Sequence, residues 1–455
     1  MTLQQVDAYE PDRVPTVGDH AVVVGGSMAG LLAARAVADG FERVTLLERD
    51  QLPSGPTTRR GVPQGHHVHV LLEAGRSVLE SFFPDYFATL RSRGGLEIDS
   101  GSDLDYHDEG AFLADSPEPL PMFCASRPLF EAVARECLAA RDDVEIRDTT
   151  RFLTYTTDET ASARGATTTV DGVVVETDDG QQRELDADLV VDATGRRSRT
   201  PEWLADHGYE TPPTEEVGVD LVYSTVVVDR PPETERAILV SPAPPQTRGG
   251  TVIPIEDDRW LVTLFGLHGD HPPDDPEGVE EFAESLPTGA IASVLDSQSW
   301  HSESVDQYPF PASRRRRYEA LDRFPDGLVV TGDAMASFNP IYGQGMSVAA
   351  LDALALHHAL ASGGDDLAGR FFERASESVD TAWTMAVGAD AAYPQTERST
   401  PLSTRLFNWY VSRLLRAAHT DGRLSSAFIR VLQLEQPPTA LLRPSVLRRV
   451  FAPTD

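Results

Sequence analysis

Two glycine-rich stretches, about 300 residues apart, carry the residue types that can grip a phosphate. The first is Gly25-Gly26-Ser27-Met28-Ala29-Gly30. Glycines there permit a sharp turn and a close approach of an anion to backbone N–H groups. A helix that starts at such a turn adds unpaired N–H donors and a partial positive charge. Glu48 follows Gly30 by 18 residues, close to the roughly 20-residue spacing that sets a carboxylate on ribose hydroxyls. Arg49 stands next to it and joins the candidate set. The middle position of the G-x-G-x-x-G pattern is Ser27, small enough for the pyrophosphate reading to stand. A tight strand-to-helix junction without a ligand is the alternative. The second stretch is Gly332-Asp333, followed by Pro340, Gly343, Gln344, Gly345 and Met346, again a glycine-marked loop that leads into an apolar helix.

Other chemistry-bearing residues point less firmly. His66, His67 and His69 fall in a loop with no cysteine nearby, so a polar loop lining a ligand is preferred to a metal site. The four arginines 314–317 fit a phosphate grip or, more commonly, a salt-bridged face. Cys124 and Cys137 make neither a disulfide framework nor a metal site. No Ser-His-Asp set or carboxylate pair has a spacing that demands a protein nucleophile, so no catalytic residue is assigned and no metal is expected.

The elements that must position these residues follow from periodicity. Residues 21–24 are a β-branched run fit for a buried parallel strand, 31–38 have helix-former composition ending before Gly40, and 44–47 are a second apolar strand. Strand, glycine turn, helix, strand and acid make the first half of a dinucleotide-binding βαβ unit. Ser126 and Pro128 open another helix, residues 152–184 read as a β-meander, and residues 188–192 return to a buried strand that ends in Ala193-Thr194-Gly195-Arg196-Arg197-Ser198. Residues 217–266 read as an antiparallel sheet between proline-rich segments, with apolar and aromatic residues for a substrate cavity. After Gly364 the chain is helical in character, read as a C-terminal cap, with an interaction module as the alternative.

Composition bounds the setting. Asp and Glu number 72 against 39 basic residues, all of them arginine, for a net charge of −33. Such a surface repels nucleic acid and anionic lipid. Self-repulsion would strain it at low salt and be screened at molar salt, where the Debye length is about 3 Å, so a salt-rich, halophilic cytoplasm is expected, with an ordinary acidic bacterial protein as the alternative. No apolar run approaches the length that spans a bilayer, and the polar N-terminus lacks a signal pattern, which makes cytoplasm the expected location and leaves no transmembrane segment.

Taken together, GGSMAG with Glu48, DATGRRS, and GDAMASFNPIYGQGMSVAALDA occur in the order seen in FAD-dependent monooxygenases of the p-hydroxybenzoate hydroxylase and squalene epoxidase superfamily, which the chain resembles from about residue 20 to 450. RRGVPQGHHVHVLL, SRPLFE and RRRRYEAL are similar to its bacterial polyether-epoxidase branch. The resemblance implies an α/β fold: a Rossmann-like FAD-binding domain of glutathione-reductase type (18–84, 121–204 and 320–365), an antiparallel β-sheet substrate domain (85–120 and 205–319) and a C-terminal helical region (366–455). It implies FAD bound by the two glycine stretches, with Asp333 on the ribityl hydroxyls, Pro340 fixing the loop, Gly343 and Gly345 admitting the ring, and the helix near Met346 aimed at its pyrimidine side. Arg127 and Arg60 are carried over as cofactor contacts.

The implied activity is insertion of one oxygen atom from O2 into an apolar or aromatic small molecule, by hydroxylation or epoxidation through a flavin hydroperoxide. Thr194-Gly195 stands where many members have Asp-Gly, and there is no second nucleotide fingerprint, so the reductant is NADH or NADPH bound transiently or a separate flavin reductase. The rivals are a geranylgeranyl-reductase-like reductase of isoprenoid double bonds and a non-catalytic flavin-binding protein. A flavin halogenase is set aside because its lysine has no counterpart in a lysine-free chain.

Overall fold

The computed structural model describes residues 1–162, 165–396 and 401–451. Five parallel strands form the central sheet: β1 (Gly18–Val24), β2 (Phe41–Leu47), β3 (Val144–Arg147), β4 (Leu189–Asp192) and β5 (Leu328–Val330). Their spatial order is β3-β2-β1-β4-β5. Val22 is flanked by Thr45 on one side and Val190 on the other. The strand order reverses at β1, and the crevice beyond the carboxyl ends of β1 and β4 is where such sheets take ligands. Helix α1 (Met28–Val37) follows β1 and buries nearly all of its length. It begins three residues earlier than the apolar pattern alone predicts, because Met28-Ala29-Gly30 form its first turn.

Two further helices and a large sheet extend the frame. Helix α2 (Arg127–Ala139) is capped by Ser126, whose hydroxyl accepts from the Leu129 N–H, with Pro128 in the first turn. Helix α3 (Gly345–Leu360) packs on α1. Strands Arg151–Ser162, Gly165–Glu176 and Gln182–Asp186 form the expected meander. An eight-stranded, mainly antiparallel sheet runs from Ala336–Ser337 through Asp306–Arg316, Thr214–Asp229, Arg259–Gly266, Arg248–Ile255 and Ala237–Val240 to Leu104–Asp108 and Ala111–Phe112. One edge strand, Ala336–Ser337, belongs to the loop that precedes α3, so the sheet is tied directly to the second glycine stretch.

Helix α4 (Leu367–Asp390) departs from the expected partition. It falls in the segment assigned to the C-terminal cap, yet Phe371, Phe372, Val379 and Trp383 are buried in the same core as β1 and α1. Its apolar stripe covers α3, whose all-round hydrophobic surface needs a second neighbour. Helices α5 (Leu402–Ala418), α6 (Gly422–Leu432) and α7 (Pro444–Val450) share a small core of their own around Tyr410, Leu414, Leu424 and Leu441.

The arginines 314–317 resolve to structural roles. Arg314 pairs with Glu216, Arg315 with Glu319 and Asp380, and Arg317 with Glu215. Arg316 donates to the carbonyls of Ala334 and Arg196 and so ties the large sheet to both loops of the crevice. The phosphate reading of this run is therefore replaced by a salt-bridged one.

Candidate functional site

The first glycine stretch is built so tightly that side chains are excluded. Gly25 has φ +109°, and a Cβ there would lie 2.4 Å from the Ala193 carbonyl oxygen. A Cβ on Gly30 would overlap the Gly25 carbonyl oxygen at 1.7 Å. The departure from the glycine pattern has a visible use. The Ser27 hydroxyl does not cap α1; it accepts from Arg127 Nη2 (2.8 Å) and donates to Glu131 Oε2 (3.1 Å). The first-turn N–H groups of α1 thus have no side-chain partner.

Around this helix start lies a ring of charge. Glu48 directly follows β2, with Oε2 accepting from the Gly26 N–H at 2.9 Å and Oε1 from the Asp50 N–H at 3.0 Å. Arg59 bridges Glu48 (2.9 Å) and Glu131 (2.9 Å), and Arg127 also pairs with Glu131 at 3.0 Å. Burial opposes the charge of Glu131, but Arg127 and Arg59 outweigh it and hold the carboxyl below its usual range. Two guanidinium nitrogens remain buried without a partner, Arg59 Nη2 and Arg127 Nη1. Unpaired cationic donors beside an uncapped helix N-terminus are what a pyrophosphate satisfies, since a buried donor left unmet is costly.

The second glycine stretch meets the first. Gly332 has φ +62°, and a Cβ on it would come within 2.6 Å of the Ala29 Cβ. Its N–H faces Asp352 Oδ2 at 3.4 Å, and burial pushes the Asp352 carboxyl up to about 7. Asp333 is open to the cleft although protein surrounds it; that enclosure raises its pKa, with Arg196 and Arg127 acting in the opposite sense. Gly195, φ +79°, faces Asp333 across the gap. Asp192 holds this turn, accepting from the Thr194 N–H (2.9 Å) and the hydroxyls of Thr194, Ser198 and Thr200. Gly343 is left-handed, φ +64°, and packs so closely on Val70 that a Cβ would lie 2.2 Å from it. Gly345, in contrast, faces open space at the start of α3, where Gln344 provides no side-chain cap and its buried Oε1 has no partner.

Beyond this turn lies a partly aromatic apolar cluster. Val219, Leu221, Tyr223, Phe265, Leu267 and Phe310 form an apolar cluster against which Ile341 and Tyr308 pack. His67 hydrogen-bonds Thr225 (2.7 Å), which in turn bonds Thr263 (2.7 Å). Burial pushes His67 down to about 4 and His69 down to about 3, so both are neutral at pH 7. Asp390, at the end of α4, accepts from Asn339 Nδ2 and Tyr342 OH, both at 2.9 Å, through the same oxygen. Its other oxygen has no partner, and burial pushes the carboxyl up to about 6. Among the described residues no group of three or more His, Cys, Asp or Glu could hold a metal ion.

Comparison with known proteins fixes the cofactor class. Residues 21–197 match the family model for FAD dependent oxidoreductases. Protein Rv3254 of Mycobacterium tuberculosis (strain ATCC 25618 / H37Rv) is 32% identical over 439 residues, covering 93% of this chain and 91% of its own. The chain belongs to the FAD-dependent oxidoreductases. Solved structures of similar fold include flavin-dependent brominase Bmp2 (TM-score 0.64, 15% identity, 92% of this chain and 94% of that one). They also include p-nitrophenol 4-monooxygenase PnpA from Pseudomonas putida DLL-E4 (TM-score 0.61, 19% identity, 92% and 98%).

In this oxidoreductase the structure gathers most of the sequence-derived positions. Gly25, Gly26, Ser27, Met28, Ala29, Gly30, Glu48 and Arg127 surround the start of α1, and Asp333, Pro340, Gly343, Gln344, Gly345 and Met346 lead into α3. Two positions lie elsewhere. Arg60 is exposed, and its neighbour Arg59 takes the place at the helix start, because Gly61 turns the chain there with its N–H on Asp50. Arg49 is also exposed, since Glu48 is the residue of that pair facing inward. Sequence reasoning missed Glu131, Asp352 and Asp390. Only Glu131 had a readable signal, one helical turn beyond Arg127.

Proposed function

We propose that this enzyme is an FAD-dependent monooxygenase that inserts one oxygen atom from O2 into an apolar or aromatic small molecule, by hydroxylation or epoxidation. The supporting observation is the meeting of the two glycine turns at Gly332 and Ala29, with Ile341 of the second turn packed against an apolar cluster that includes Tyr223, Phe265 and Phe310. Arg59, Arg127 and the α1 N–H groups would hold the pyrophosphate, Glu48 the adenosine ribose and Asp333 the ribityl hydroxyls. The α3 N-terminus would face the ring's pyrimidine edge, where its positive end favours a reduced, anionic ring. When bound, FAD supplies the electrons and the activation of oxygen. The chain's own tasks are to position the substrate, exclude water and hold protons. Asp390 can store one at its unpaired oxygen, and neutral His67 can orient a substrate hydroxyl or leave an apolar one undisturbed.

The reductant in this reading is NADH or NADPH, or a separate flavin reductase, and the protein works in a salt-rich cytoplasm. No helix among the described residues is long and apolar enough to cross a membrane. The holoenzyme, reduced without air and then mixed with isotopically labelled dioxygen and a panel of aromatic and alkene compounds, should yield a singly labelled product. A saturated isoprenoid formed without oxygen would replace this reading with the reductase one. Bleaching of the yellow protein by NADH or NADPH alone identifies the donor; a chain that bleaches only with an added reductase assigns the electrons to that partner. Dialysis into low salt should unfold the protein, and indifference to salt would remove the halophilic setting.

A further inference from the structure

Six large apolar side chains are exposed among the described residues, and five of them lie in one region: Leu402, Leu406, Trp409, Leu442 and Phe451. The same region reverses the charge of the chain. Residues 401–451 contain eight arginines against two carboxylates, Asp421 and Glu435, in a protein of net charge −33. At about 100° per residue, Leu402, Leu406, Trp409, Arg413 and Arg416 fall on one stripe of α5. Tyr410, Leu414, Leu415 and Ala418 occupy the rest of its circumference and are buried. The stripe is apolar over its first turns and cationic over its last.

The cationic end opens into a recess of about 730 Å³ between α5, α6, α7 and the 115–117 segment. Arg413, Arg416, Arg423 and Arg449 line it. Arg416 pairs with Glu109 and Arg449 with Asp421, both partly exposed, and Arg413 lies over the Phe451 ring at 5.0 Å. The Arg423 side chain has no ion pair among the described residues. Exposed leucine and tryptophan beside clustered arginine is the pattern of a helix lying in a membrane interface. There the apolar face enters the acyl boundary and long cationic side chains reach the phosphates.

We propose that this face docks the protein on the surface of an anionic lipid bilayer, with Leu402, Leu406 and Trp409 at the headgroup–acyl boundary and the arginine recess on lipid phosphates. Charge complementarity selects this occupant: the rest of the surface is acidic and is repelled by the same lipid, so contact is confined to one end. A second copy of the chain fits less well. Phe112 is the one other large apolar side chain exposed among the described residues, so a head-to-tail contact would set the stripe against carboxylates. A two-fold contact that pairs the leucines leaves the arginines unmatched. The proposal does not depend on the reaction catalysed.

Vesicle flotation of the full-length holoprotein tests it, together with the Trp409 contribution to emission, taken as the difference between the protein and Trp409→Phe. With phosphatidylglycerol vesicles the protein should float and this emission should shift to the blue; with phosphatidylcholine alone, binding should be about tenfold weaker or less. Leu406→Glu with Trp409→Glu, and separately Arg413→Glu with Arg416→Glu, should each lower binding about tenfold or more. Unchanged unfolding midpoints would show that the exposed substitutions leave the fold intact. Added salt should weaken the arginine contribution and spare the apolar one. The proposal is overturned if the protein never floats and Trp409 never shifts, or if both variants float as well as the parent. It is also overturned if Trp409 shifts without vesicles as the protein doubles in mass.

Discussion

The two glycine turns end in helices of similar role but opposite surroundings. The start of α1 is ringed by guanidinium groups, Arg59 and Arg127, and the Gly25 carbonyl occupies the place a side chain would take on Gly30. The start of α3 has no such ring. Gln344 stands there with a buried amide oxygen that has no partner, and Gly345 looks onto empty space. In the proposed reading the α1 end would hold a diphosphate, which needs fixed cations and a fixed turn. The α3 end would meet a flat ring that changes charge, which needs a field and room. The same backbone device is thus tuned by what surrounds it.

Substitutions can break or sharpen that contrast. The largest effect is expected from Gly30→Ala, whose Cβ collides with the Gly25 carbonyl; it should cost at least about 3 kcal/mol and abolish cofactor retention, read by thermal unfolding and by colour. Arg127→Ala removes a partner of Ser27 and leaves Glu131 less compensated. FAD affinity should fall about 30- to 100-fold, near 2–3 kcal/mol, in a fluorescence titration, with Glu131→Gln restoring part of the stability but not of the affinity.

Next comes a pH effect at the α3 end. The Asp390 carboxyl sits at about 6 against a reference of 3.8. The folded state therefore holds its proton more tightly than the unfolded state does. The stability this contributes is full below pH 3.8 and is lost as pH rises through about 6. Asp390→Asn should gain about 2 kcal/mol at pH 8 and almost nothing at pH 4, measured by denaturant unfolding at the two pH values. The smallest effect is expected from Gly345→Ala. It should leave the unfolding midpoint of the apoprotein unchanged yet weaken FAD binding about tenfold. Equal stability losses for Gly30→Ala and Gly345→Ala would erase the contrast.

Much of the cofactor half was legible in sequence because its instructions are local. A β-branched strand, glycines, an apolar helix and an acid follow one another within thirty residues, and the second turn repeats the device. The choice between Arg59 and Arg60 was not legible, since adjacent arginines differ only in which way the loop through Gly61 turns them. The course of α4 was hidden for a different reason: its apolar stripe says that it packs, not that it packs on α3. Asp390 was out of reach altogether. Its partners Asn339 and Tyr342 lie 51 and 48 residues upstream, and only tertiary structure unites them. The substrate cavity was expected between the middle sheet and the C-terminal helices, whose residues carry no pattern beyond being apolar.

The contact between Gly332 and Ala29 has a consequence for the length of the site. Gly332 carries no Cβ and the Ala29 methyl fills the place one would take, so the two turns approach as closely as their small residues allow. This contact works as a ruler that a larger side chain at either position would lengthen.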